Sequence, residues 1–167
     1  LVEPEGCSVK ANRIGGTTDI SAGQLIDRAG VLLGLQFPCG KALDALSAQC
    51  EDTECFRPKV NGMEFSLSGA QNKVEQYFAK TQNSAATASY TLRTVCSAIL
   101  CATDAALRQY PGLEVVFSGG VSSNRLLREQ CQRFAPVFCP PQFSTDNAMG
   151  IAVLAWRQGE MDGNKNT

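Results

Sequence analysis

Apolar positions recur along this chain with two different periods. Leu25, Ile26, Ala29, Leu32 and Leu33 fall at helical spacing, preceded by the capping-box pattern Ser21-Ala22-Gly23-Gln24. The spacing predicts a helix from about Ser21 to Leu33, ended by Gly34-Leu35-Gln36-Phe37-Pro38-Cys39-Gly40, and then a second helix that turns Leu43 and Leu46 inward. A longer helical region begins with Val74, Tyr77 and Phe78. After Asn83-Ser84 it resumes from about Ala85 to Tyr110, with Leu92, Val95, Cys96, Ile99 and Leu100 on one apolar stripe. Leu126, Leu127 and Cys131 mark another helix, and Ile151, Val153, Leu154 and Trp156 a last one, from about Asn147 to Gln158. The polar tail from Gly159 to Thr167 is expected to fray. Alternation replaces the helical period elsewhere. Ser8 to Ile14 reads as a strand, one arm of a hairpin whose partner is missing or lies upstream, and Gly15-Gly16-Thr17-Thr18-Asp19 turns the chain. Met63, Phe65 and Leu67 alternate with polar residues as a half-buried strand, and Val137-Phe138-Cys139 forms a short one before a rigid Pro140-Pro141 turn.

The remaining apolar run organises the rest. Val115, Val116 and Phe117 read as a short buried strand, and Ser118-Gly119-Gly120-Val121-Ser122-Ser123-Asn124-Arg125 follows it. A glycine pair permits positive φ and close approach to the backbone, and Ser122, Ser123 or Asn124 can cap the helix that follows. A strand, a glycine turn and a helix N-terminus together suit a phosphate or the polar edge of a nucleotide. The same pattern also fits an ordinary strand-to-helix connection. Strands alternating with helices predict an α/β fold, a mixed sheet flanked by helices, in one domain over 1–167.

Composition narrows the chemistry. An apolar share of 44% and a mean hydropathy of −0.10 describe a soluble globular chain. Fifteen basic against sixteen acidic residues leave a formal charge of −1, so no overall field draws the chain to nucleic acid or to an anionic membrane. Eight cysteines without a C-x-x-C spacing, and no histidine, argue against a zinc site or a disulfide scaffold. Reduced thiols in a cytoplasmic protein are the expectation. The lack of histidine also excludes a Ser-His or Cys-His pair within the chain.

Five motifs stand in order: Ala22-Gly23-Gln24-Leu25-Ile26-Asp27-Arg28, Leu32-Leu33-Gly34-Leu35 with Phe37-Pro38-Cys39-Gly40, Phe65-Ser66-Leu67-Ser68-Gly69, Ser118 to Arg125, and Ser144-Thr145-Asp146-Asn147-Ala148-Met149. From about Gly15 to Trp156 the chain resembles the C-terminal lobe of the TsaD-type tRNA threonylcarbamoyladenosine transferases, formerly called O-sialoglycoprotein endopeptidases or glycoproteases. The resemblance implies one RNase H-like lobe of the two-lobed fold shared with actin, the Hsp70 chaperones and sugar kinases, with a nucleotide between the lobes. It implies that Asp27 binds the ribose hydroxyls, that Gly40 and Asp44 touch the nucleotide-like substrate, and that Gly119, Gly120 and Asn124 help hold the adenylate. Asp146 matches the aspartate that coordinates one divalent ion, iron or zinc, shared with two histidines of an H-x-x-x-H helix in the other lobe. The implied substrate is an ATP-derived threonylcarbamoyl-adenylate. The implied partners are the N-terminal lobe, tRNA and other proteins of the tRNA-modification complex, with no membrane.

The chain departs from the family at three places. The family's G-E-A-F-D-K is Gly-Gln-Leu-Ile-Asp-Arg here, its P-G-G-P is Pro-Cys-Gly-Lys, and its F-S-G-L-K-T is Leu-Ser-Gly-Ala-Gln-Asn. A non-catalytic paralogue or interaction module that keeps the nucleotide-cleft scaffold is therefore the alternative reading. Taken alone, each aspartate is most simply a solvated surface charge, and Asn124 serves equally as a helix cap.

Overall fold

The computed structural model describes residues 1–6, 8–144 and 148–164, with the side chains of 149 and 160–164 left aside. In chain order the elements are β1 (Val2–Glu5), β2 (Ser8–Ala11), β3 (Gly16–Thr17), α1 (Ala22–Leu32), α2 (Gly40–Ser47), β4 (Val60–Asn61), β5 (Glu64–Phe65), α3 (Ser68–Thr81), α4 (Ser84–Gln109), β6 (Val116–Phe117), α5 (Arg125–Cys131), β7 (Val137–Phe138), α6 (Pro141–Ser144) and α7 (Ala148–Asn164). A 3-10 turn over Gly120–Ser123 leads into α5.

The fold is organised around α4. Its long apolar stripe packs against α1, α2, α3 and α5, and one core gathers Leu25, Leu43, Leu67, Val74, Leu92 and Val95. Polar positions inside α4 have partners. Thr87 and Thr91 hydroxyls donate to carbonyls one turn back, at 2.8 Å each, while the Thr94 hydroxyl accepts from the Phe56 N–H at 3.1 Å. This last bond holds the irregular stretch before β4 against the helix. Ser21 and Gln24 form the capping box of α1 reciprocally, at 3.1 and 2.8 Å.

The strands depart from several sequence expectations. Among the described residues they form three small sheets in place of one layer: β1 with β2, β3 and β4 on either side of β5, and β6 with β7. Of the two alternatives for the partner of β2, the upstream one holds: Val2–Glu5 pairs with it antiparallel. Gly16 and Thr17, expected in a turn, pair parallel with Glu64 and Phe65, and only those two residues of the 63–67 stretch are strand. The short strand expected to be buried over Val115 to Phe117 is half open: Val116 is 62% exposed. Its one partner is β7, and its other side faces an apolar groove of 680 Å³ shared with Ile14, Met63, Phe65 and Ile99. Pro141 does not extend a turn; it is the first residue of α6, where its missing N–H costs nothing. The tail does not fray at Gly159, because α7 continues through Asn164, and glutamine, glutamate and methionine are adequate helix formers. No helix among the described residues is long and apolar enough to cross a membrane.

Asp19 was invisible to periodicity and proves structural. Its Oδ1 accepts from the Leu67 N–H at 2.8 Å, and its Oδ2 accepts from the Ser66 hydroxyl at 2.5 Å and the Ser68 N–H at 3.2 Å. It thus supplies the cap that Leu67 cannot give α3. Burial opposes its ionisation, but these hydrogen bonds win and hold its carboxyl well below the usual carboxylate range. A depressed folded-state pKa stabilises above the unfolded value and is lost as pH falls toward the folded one. Wild-type protein should therefore lose stability from about pH 4 downward, and Asp19→Asn should lose less across the same window. Equal slopes in urea titrations of the two proteins would contradict this role.

Candidate functional site

Three separate stretches meet beside the core. The first half of α1 supplies Gly23, Ile26 and Asp27, the entry to α2 supplies Pro38, Gly40, Lys41 and Asp44, and the glycine turn supplies Gly120, Val121, Ser123 and Asn124. With Pro141 they enclose a cavity of 580 Å³, large enough for a nucleotide. Asp27, Gly40, Asp44, Gly120 and Asn124, all singled out in the sequence, line it together. Gly119 does not line it. Its φ of +94° makes the bend that presents Gly120, and a Cβ there would meet nothing, so the need for glycine is conformational.

Each polar side chain here has a structural bond as well. Asp27 Oδ1 accepts from the Cys39 N–H at 2.8 Å, which fixes the N-cap residue of α2. Asp44 Oδ2 accepts from the Arg125 N–H at 3.0 Å, and Asn124 Oδ1 accepts from the Leu127 N–H at 2.9 Å, so two residues from distant stretches cap α5. Of the three candidates for that cap, Asn124 is the one used. These bonds leave Asp27 Oδ2 without a hydrogen bond among the described residues. Asp44 Oδ1 is buried and also has no partner. A buried carboxylate oxygen left unpaired is costly.

Arg128, which sequence reasoning missed, positions the turn. Its Nε donates to the Ser122 carbonyl at 2.9 Å and its Nη2 to the Cys139 carbonyl at 2.8 Å, while its guanidinium lies over the Phe138 ring at 4.7 Å. The only signal in the sequence was a basic residue one turn into α5, a common surface feature.

Cys39 occupies one of the positions that depart from the family. Its side chain is fully buried and packs where a Cβ of Gly30 would stand; that Cβ would lie 2.6 Å from the Cys39 Sγ and closer still to its Cβ. Burial, and then the Asp27 charge, push its thiol up, away from the reactive thiolate range. The seven described cysteines are free thiols, and Cys7 lies outside the described residues.

Asp146, matched to a metal-binding aspartate, also lies outside the described residues. Among the described residues no group of three or more His, Cys, Asp or Glu side chains could hold an ion. The described residues do not compose a metal site by themselves.

The family model described as tRNA N6-adenosine threonylcarbamoyltransferase, TsaD, matches residues 7–153. The chain belongs to the TsaD family. Among curated TsaD relatives of the same description, the protein of Kosmotoga olearia is 32% identical over 160 residues, covering 89% of this chain and 48% of that protein. That of Lactococcus lactis subsp. cremoris is 32% identical over 178 residues, covering 95% of this chain and 51% of its own length. This TsaD member spans about half the length of the curated relatives it matches.

Proposed function

We propose that this chain is the nucleotide-binding lobe of a transferase that moves a threonylcarbamoyl group from its adenylate to N6 of a tRNA adenosine. In this reading it is one lobe of a two-lobed, actin-like protein. The observation that carries the proposal is the convergence of Asp27, Gly40, Asp44, Gly120 and Asn124, from three stretches, on one nucleotide-sized cavity.

The roles follow from the bonds. Asp27 and Asp44 both line the cavity, and each has one carboxylate oxygen without a donor among the described residues; ribose hydroxyls are donors that carboxylates accept well. Gly40 and Gly120 expose backbone to the ligand, while the Asn124 cap keeps the turn and α5 rigid. Chemistry needs the adenylate held still while the N6 amine attacks the carbamoyl carbonyl. The new N–C bond forms, the carbonyl carbon–phosphate oxygen bond breaks, AMP leaves, and N6 gives up a proton. Holding the leaving nucleotide in place is this lobe's contribution. The tRNA contacts, and the histidines that would join Asp146 around an ion, belong to the remainder of the whole protein. That ion would supply positive charge for the developing negative charge.

The test is a titration of the chain with adenosine, followed by backbone NMR. Binding should be weak, because a cleft between two lobes draws contacts from both. The perturbed amides should lie in 38–44 and 119–124. Submicromolar binding would contradict the two-sided cleft, and perturbations confined to other elements would contradict the site.

A further inference from the structure

We infer that Lys41 makes this site selective for a phosphorylated nucleotide over the bare nucleoside, by pairing its ammonium group with the ligand's phosphate. The inference rests on the nucleotide reading above and deepens it. Lys41 is the second residue of α2 and lines the cavity, where its charge is the only positive one, against the carboxylates of Asp27 and Asp44. Without it the lining carries two negative charges and repels any phosphate.

Lys41 is also uncommitted. The ion pairs of the described residues are Arg125–Glu129 and Arg133–Asp104, and no hydrogen bond engages its ammonium group. An exposed lysine stem lets the amine swing over the cavity mouth. The α2 N-terminus beneath it adds to the same field. The cap residue Cys39 makes no side-chain cap, and the first turn holds no acidic residue. Asp44, one turn further along the same helix, lines the cavity as well, and its Oδ1 is buried without a hydrogen-bond partner among the described residues. A nucleoside monophosphate unit offers both groups, hydroxyl donors for the carboxylates and an anion for the ammonium.

The experiment compares adenosine, AMP and ADP on the 167-residue chain by calorimetry or NMR titration, for wild type, Lys41→Ala, Lys41→Arg and Lys41→Glu. Wild type should bind AMP about fivefold more tightly than adenosine, the scale of one partly exposed charge pair. The preference should shrink as ionic strength rises. Lys41→Ala should lose the preference with adenosine affinity unchanged, Lys41→Arg should keep it, and Lys41→Glu should favour adenosine. Equal losses for adenosine and AMP in Lys41→Ala would mean that the stem only packs, and would overturn the inference. So would a wild-type protein without preference, or a preference that survives Lys41→Ala. Failure of wild type to bind adenosine at all would instead refute the nucleotide site itself, and this inference with it.

Discussion

Asp44→Asn should leave the protein as stable as wild type, or slightly more so, while lowering adenosine affinity at least about tenfold, the scale of a lost hydrogen bond to a charged group. The asymmetry follows from its two oxygens. Oδ2 holds the Arg125 N–H, and an asparagine oxygen can keep that bond. The amide nitrogen then occupies the place of Oδ1, which is buried without a partner. Folding loses little there, since one unpartnered buried polar group replaces another and a charge is removed. A ribose hydroxyl, by contrast, meets a donor where it needs an acceptor. Asp44→Ala should separate the two roles from the other side: it loses the α5 cap as well, costing about 1 kcal/mol, together with binding. Thermal denaturation and adenosine titration of both variants give the answer. Adenosine binding by Asp44→Asn at wild-type strength would make Asp44 a helix cap and nothing more, and would remove the main support for the proposed nucleotide site.

Gly30→Ala is expected to destabilise the protein by roughly 1–3 kcal/mol, the range of an overpacked core. The same substitution should become stabilising once Cys39 is glycine. In wild type the added methyl would occupy the position of the Cys39 side chain, which is fully enclosed and cannot swing away. The helix propensity gained from alanine inside α1, about 1 kcal/mol, falls short of that clash. In a Cys39→Gly background the obstacle is gone and only the propensity gain remains. Asp27 is undisturbed, because its bond is to the backbone N–H of residue 39. A double-mutant cycle in urea therefore has a sign change as its signature. Additive effects would show that the two residues do not share the space the structure gives them.

Much of this site was legible one residue at a time. The capping box of Ser21 and Gln24, the apolar stripe of α4 and the break at Asn83 are local signals, carried by side chains three or four residues apart on one helix face. The order of Asp27, Gly40, Asp44, Gly120 and Asn124 also stands in the sequence, and it led to the family. Their convergence does not, because no period in the chain states which surface of α1 meets which turn after β6.

The sequence by itself determined α1 to α5, the capping box of α1, the family and five of the residues that line the cavity, Asp27, Gly40, Asp44, Gly120 and Asn124. Only the tertiary structure decided what each of those residues is free to do. Asp19 caps α3 from 48 residues away, and Asp44 caps α5 from 81. Such bonds depend on how packed elements approach each other, so they leave no trace in local spacing. The exposure of β6 was settled in the same way. Val115, Val116 and Phe117 have the composition of a buried strand, but burial requires elements packed over both faces of the sheet, and Val116 is left 62% exposed. Among the described residues β6 has a strand on one side only.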